Sequence, residues 1–98
     1  MRRARKALER LARRPSSAGA RLALGVACFQ RELGDDALRA FRAVQRLAPR
    51  RCEGFAMAAL EHAYRRAYAP AREAWTRARA LNPELPPFAE VLAHLPST

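Results

Sequence analysis

The amino-acid sequence predicts an all-α protein of about six helices, arranged as a solenoid of helical hairpins. Ala, Leu, Arg and Glu, which favour helices, dominate the 98 residues, whereas Ile is absent. Ala accounts for 23 of the 49 hydrophobic residues, so thin layers of packed helices fit the composition better than one large core. Pro15, Pro49 and Pro83 lie 34 residues apart, which indicates a repeated structural unit.

The individual helices follow from local sequence signals. They are expected near residues 2–14, 18–33, 36–48, 52–67, 70–81 and 87–95. Ser16 and Ser17 are candidate N-caps of the second helix, and Pro70 suits the first turn of the fifth. Gly34 is expected to end the second helix in the left-handed conformation, and Asp35 is expected to cap the third. The sixth helix carries one apolar stripe of Phe88, Val91, Leu92 and Leu95.

Residues of similar type coincide when the chain is shifted by 34 positions. Small residues fall on small ones, aromatic on aromatic and aliphatic on aliphatic, as expected if each unit is a pair of closely packed helices. The matches are Leu24-Gly25 with Ala58-Ala59, Ala37 with Ala71, Phe41 with Trp75, Val44 with Ala78, and Leu47 with Leu81.

This unit resembles the tetratricopeptide repeat, whose pattern is W-x2-L-G-x2-Y, then A-x3-F, then P. The first copy supplies Leu24-Gly25, Ala37-x3-Phe41 and Pro49; the second supplies Ala58-Ala59, Ala71-x3-Trp75 and Pro83. Arg21 stands where Trp is common, and Cys28 and His62 replace the Tyr. The resemblance implies a single domain over residues 1–98, with a basic half-repeat helix (1–15), repeat 1 (16–49), repeat 2 (50–83) and a C-terminal capping helix (84–98).

A concave binding groove is also implied by the resemblance, because the first helix of each hairpin lines such a face in this family. Its residues here are Leu22, Val26, Phe29 and Gln30 from one copy and Ala56, Leu60, Ala63 and Tyr64 from the other. These positions are mostly aliphatic, whereas the family's clamp for acidic C-terminal tails uses Lys, Arg and Asn. The groove therefore suits an amphipathic helix or an extended apolar peptide. The alternative is that these side chains pack between hairpins or against a second chain.

Positive charge is concentrated near the N-terminus. The formal net charge of the chain is +10, and 18 of its 19 basic residues are Arg. Either codon composition or recognition of anionic groups accounts for this preference for Arg. A basic patch is expected on the first helix, as a solvated outer face or as a contact for an acidic protein or for nucleic acid. It consists of Arg2, Arg3, Arg5, Lys6, Arg10, Arg13 and Arg14.

No pattern in the sequence indicates catalysis, a metal or a cofactor. Cys28, Cys52, His62 and His94 lack the close paired spacing of a zinc site, so they are expected to be buried structural residues. There is no glycine-rich phosphate loop and no Ser/His/Asp arrangement. No run of 18 apolar residues and no secretion signal occur, and a cytoplasmic protein that is not an enzyme is expected.

These observations predict a protein–protein interaction module, or adaptor, that holds a partner peptide or helix in a largely apolar groove. The Arg-rich surface favours a partner of acidic character. One alternative is a nucleic-acid-associated protein that uses the basic patch. Another is an architectural piece, either a homo-oligomer or a fragment of a longer solenoid.

Overall fold

The computed structural model describes residues 18–95, and the regular structure in this range is entirely helical. The all-α prediction is therefore confirmed for this part of the chain. The helix expected over 2–14, the basic patch on it and the candidate caps Ser16 and Ser17 lie outside the described residues. The helices are α1 (Ala18–Gln30), α2 (Gly34–Leu47), α3 (Cys52–Tyr64), α4 (Tyr68–Leu81) and α5 (Phe88–Ala93).

The α1–α2 pair recurs as α3–α4 with a spacing of 34 residues. The last residues of α1 and α3, Gln30 and Tyr64, obey this spacing. So do both ends of α2 and α4, which run from Gly34 and Tyr68 to Leu47 and Leu81. The turns repeat as well: the Leu33 amide donates to the Cys28 carbonyl and the Ala67 amide to the His62 carbonyl, both at 2.9 Å. The period in the sequence is thus a period in the backbone.

The turn between the paired helices differs from the prediction. Glu32 and Arg66, not Gly34, take the left-handed conformation, with φ of 61° and 62°. The physical reason is that α1 ends at Gln30, so the chain must reverse before it reaches Gly34, which begins α2. The capping role expected of Asp35 was also wrong, because Leu33 is the N-cap and no side chain caps α2.

Small residues allow the paired helices to approach closely. Ala37, Ala71 and Ala78 have no exposed surface, and Phe41 fills the space between helices with none either. A Cβ atom added to Gly25 would collide with the Phe41 ring, so glycine is required for α1 to lie this close to α2. The buried cluster of Ala37, Leu38, Phe41 and Ala58 joins the first helix pair to the second.

Consecutive helices pack against each other, and α1 also contacts α3, so the two pairs stack. At the C-terminal end Trp75 is buried, and its indole Nε1 donates a 2.9 Å hydrogen bond to the Pro86 carbonyl. The Arg72 guanidinium lies 5.6 Å from the centre of the Phe88 ring. These contacts hold the start of α5 against α4, with its apolar stripe half-buried.

Candidate functional site

The α1–α2 turn and the C-terminal end of α3 together enclose an open pocket of about 830 Å³, which we call the turn pocket. It lies where the first helix pair meets the second, so it exists only when the two pairs are packed. Its lining residues come from the end of α1, the turn, the start of α2 and the end of α3. They are Phe29, Gln30, Glu32, Leu33, Gly34, Asp35, Asp36, Glu61, Tyr64 and Arg65.

Arg65 ties the two sides of the turn pocket together. Its Nη1 lies 3.0 Å from Oδ1 of Asp35, and its Nε donates to Oε2 of the buried Glu61, also at 3.0 Å. These two hydrogen bonds raise the pKa of the Arg65 guanidinium above its ordinary value. A Cβ atom at Gly34 would overlap the guanidinium, so glycine leaves the space that Arg65 occupies. The resulting bridge links the start of α2 to the end of α3.

An aromatic pair forms the apolar part of the turn pocket. The rings of Phe29 and Tyr64 pack edge to face, with centroids 5.0 Å apart and planes at 86°. This is the arrangement that aromatic quadrupoles favour. Phe29 is anchored against the core cluster, whereas Tyr64 is 51% exposed and Leu33 is 46% exposed. The pocket therefore offers apolar surface to solvent beside a fixed aromatic wall.

The charge of the turn pocket is opposite in sign to that of the chain. Its lining contains four carboxylates (Glu32, Asp35, Asp36 and Glu61) and one guanidinium, a formal charge of −3 within a chain of +10. The C-terminal ends of α1 and α3 lie together here, as the Phe29–Tyr64 contact shows, and each adds partial negative charge. The partial positive charge at the start of α2 is offset by Asp35 and Asp36 in its first turn.

The residues predicted to line a groove do not all reach this pocket. Phe29, Gln30 and Tyr64 line it. Leu22 and Val26 are half-buried and pack against the core cluster. Ala63 is buried, and Ala56 and Leu60 are half-buried at other positions along α3. The structure thus brings together Phe29, Gln30 and Tyr64, which lie at the C-terminal ends of α1 and α3. Leu22 and Val26, which lie earlier in α1, serve mainly the packing of the helix pairs.

Sequence reasoning missed most of the pocket lining. Glu32 and Leu33 belong to a turn whose geometry the sequence does not reveal, and Asp36 lies in the first turn of the helix that follows it. Arg65 meets Asp35 only after the second pair folds back on the first. A signal was nevertheless present, because Leu33 is a large apolar residue next to a predicted helix end and is followed closely by two adjacent acidic residues.

The cysteines and histidines are dispersed. Cys28, Cys52 and His62 are half-buried and His94 is exposed, so the expectation of four buried residues was wrong for His94 and met only in part for the other three. It lies on the solvent side of the short α5, with its Nδ1 2.7 Å from the Glu90 carbonyl oxygen. Within residues 18–95 no three His, Cys, Asp or Glu side chains lie close enough together to hold a metal ion.

His62 has an altered protonation equilibrium. Partial burial lowers its pKa below 6.5, and the positive charges of Arg42 and Arg65 lower it further. The charge of Glu61 acts in the opposite direction without reversing the effect. The imidazole is therefore held in its neutral form over a wider pH range than a free histidine.

Comparison with protein-family models gives no match, and comparison with curated proteins gives none either. Among the helices of residues 18–95, none has the length and apolarity needed to cross a membrane.

Proposed function

We propose that the protein is an interaction module of the tetratricopeptide type, an adaptor that binds a segment of another protein in the turn pocket. The family assignment is supported by the 34-residue spacing of helix bounds and turn hydrogen bonds. It is also supported by the small residues at Gly25 and Ala59, and by the aromatic residues at Phe41 and Trp75, which are buried at equivalent positions of the two pairs.

One observation carries the proposed binding function: two large, exposed apolar side chains, Leu33 and Tyr64, line the same pocket. Single exposed apolar residues are ordinary on protein surfaces, but adjacent ones around a concavity mark interaction sites. The pocket volume is within the range that accommodates bound ligands and large side chains. A partner that covered Leu33 and Tyr64 would remove their apolar surface from water, which is the main driving force of association.

Binding rather than catalysis is favoured by the state of the carboxylates. Asp35 and Glu61 are both engaged by Arg65, and Asp36 lies 3.2 Å from Arg39 Nη2. Carboxylates that are engaged in this way act as structural anchors and local charges.

Site-specific photocrosslinking tests this proposal. A photoreactive phenylalanine derivative replaces Tyr64 in one form of the full chain and Tyr68 in another. The two tyrosines are matched controls because they are 51% and 48% exposed, but only Tyr64 lines the pocket. In extract of the native cell we expect a discrete crosslinked partner from position 64 and none from position 68. Equal crosslinking from both positions, or none from either, would contradict the proposed function.

A nucleic-acid-binding function is the competing proposal, and a stripe of arginines on α2 favours it. Arg39, Arg42 and Arg46 are exposed at helical spacing on one face. Phosphate binding would give an affinity for duplex DNA that falls by orders of magnitude between about 50 and 200 mM salt. Such binding, abolished by Arg42→Glu with Arg46→Glu, would establish the competing function. If no such binding is observed, the nucleic-acid-binding proposal is refuted and the interaction module remains.

A further inference from the structure

We infer that the segment bound in the turn pocket is basic: an apolar anchor residue flanked by Arg or Lys side chains. This inference rests on the proposed function and gives it a partner chemistry. It reverses the expectation from the net charge of the chain, which favours an acidic partner.

The first argument is the sign of the local charge. The rim of the turn pocket carries Glu32, Asp35 and Asp36, and all three side chains are exposed. The only positive side chain of the lining, Arg65, is already engaged by Asp35 and Glu61. Arg39 also reaches the rim, since its Nη2 lies 3.2 Å from Oδ1 of Asp36, so the lining together with Arg39 carries a formal charge of −2. At physiological salt, charges beyond about 8 Å are largely screened, so this local negative charge acts on a ligand in the pocket more strongly than the arginines farther along the chain do.

The backbone strengthens this negative potential. α1 and α3 both end at the turn pocket, and the partial negative charge of each helix C-terminus favours a nearby cation. The opposing N-terminus of α2 is compensated by the two acidic residues in its first turn. A basic side chain entering beside the turn therefore meets negative charge from both side chains and helix ends.

The aromatic wall suits the same ligand. The Tyr64 ring is half exposed and is held in place by its edge-to-face contact with Phe29. A guanidinium or ammonium group over an exposed aromatic face gains a cation–π attraction. Leu33, on the other side of the turn, provides the apolar surface for an uncharged anchor residue. Apolar and cationic groups thus each find a complementary surface within one pocket.

The test is a fluorescence-anisotropy titration of the full chain with three short labelled peptides. The first has a leucine between pairs of arginines, the second has glutamate in place of each arginine, and the third has serine in place of leucine. We expect the first peptide to bind at least about tenfold more tightly than either of the others. Tighter binding of the glutamate peptide would overturn the inference.

Two matched pairs of variants locate the binding. Glu32→Gln with Asp36→Asn removes two charges from the pocket rim, whereas Glu73→Gln with Glu84→Gln removes two exposed charges elsewhere. Tyr64→Ser removes the aromatic platform, and Tyr68→Ser is its control. Only the pocket variants should weaken the arginine peptide, and circular dichroism should show that all four remain folded. Equal losses in pocket and control variants would overturn the inference.

The remaining outcomes separate this inference from the proposed function. If the glutamate peptide binds and Tyr64→Ser abolishes its binding, the pocket is an interaction site but its partner is acidic. If no peptide binds and position 64 gives no crosslink, both the inference and the proposed function fail. If the chain forms a dimer in sedimentation experiments and Tyr64→Ser dissociates it, a second copy occupies the pocket and the inference is overturned.

Discussion

The close approach of α1 to α2 at Gly25 leads to a prediction in which one substitution has opposite effects at two positions. Gly25→Ala places a methyl group 2.7 Å from Cδ1 of Phe41 and 3.1 Å from Cζ, and nearer still to Cε1 between them. Gly19→Ala, in the same helix, places its methyl group where no other atom lies within 4 Å. The two variants therefore share their chemistry and differ only in the space available.

The magnitude follows from two opposing terms. Replacing glycine by alanine inside a helix gains up to about 1 kcal/mol. Carbon atoms in contact prefer separations of about 3.5–4.0 Å, so the Phe41 ring would have to shift by about 1 Å or more. Phe41 has no exposed surface and is enclosed by Ala37, Leu38 and Ala58, so overpacking costs about 1–3 kcal/mol. We expect Gly25→Ala to destabilise the fold by up to about 2 kcal/mol and Gly19→Ala to stabilise it by up to about 1 kcal/mol.

Urea denaturation followed by far-ultraviolet circular dichroism measures both free energies of unfolding. For a domain of this size, 1 kcal/mol corresponds to a change in melting temperature of about 4–8 °C, so thermal scans should show the same order of stability. Phe41→Leu, which removes the ring edge, should recover part of the cost of Gly25→Ala in a double-mutant cycle. If Gly25→Ala stabilises the chain as much as Gly19→Ala does, the packing described for α1 and α2 is wrong.

Three further predictions concern the second helix pair and pH. Trp75→Ala should lower the free energy of unfolding by about 3–5 kcal/mol in urea denaturation, because the indole is buried and bonded to the Pro86 carbonyl; an unchanged midpoint would contradict its place in the core. Ala71→Leu should cost about 1–3 kcal/mol in the same assay, since Ala71 has no exposed surface; a neutral result would mean that α3 and α4 are not closely packed. Below pH 6.5 the unfolded His62 takes up a proton more readily than the folded one, so the chain should lose stability as the pH falls from 6.5 through the lower folded-state pKa. His62→Gln should lack this loss in urea titrations at several pH values, and identical pH profiles would refute the effect.

The helical architecture was accessible from the sequence because one physical requirement recurs in it. Two close-packed helices need small residues at their crossing and a large one beside it, and Gly25 with Phe41 satisfies this need as Ala59 and Trp75 do 34 residues later. Helix bounds were predicted less well, since Glu32 accepts a left-handed backbone that sequence reasoning assigned to Gly34. The intrinsic backbone preference of a single residue is too weak to determine where the chain reverses. The packing of the two helices determines that position.

The turn pocket was accessible only in part. Phe29 and Tyr64 were predicted as partner-binding residues from the resemblance to the tetratricopeptide repeat, and they line the pocket. Leu22 and Val26 were predicted with them, but apolar periodicity marks the face of a helix without revealing which neighbour covers it. The Glu61–Arg65 pair follows from its i,i+4 spacing at the end of α3. The contact of Arg65 with Asp35 depends on how the second helix pair packs on the first, and local sequence does not encode it.

The central claim is that a partner segment binds in the turn pocket, and amide chemical shifts of the full chain during titration with the leucine–arginine peptide test it most directly. We predict that the largest shifts lie at residues 29–36 and 61–65, around Leu33 and Tyr64. Shifts confined to the arginine stripe of Arg39, Arg42 and Arg46, to α5, or spread evenly over the chain would contradict the claim.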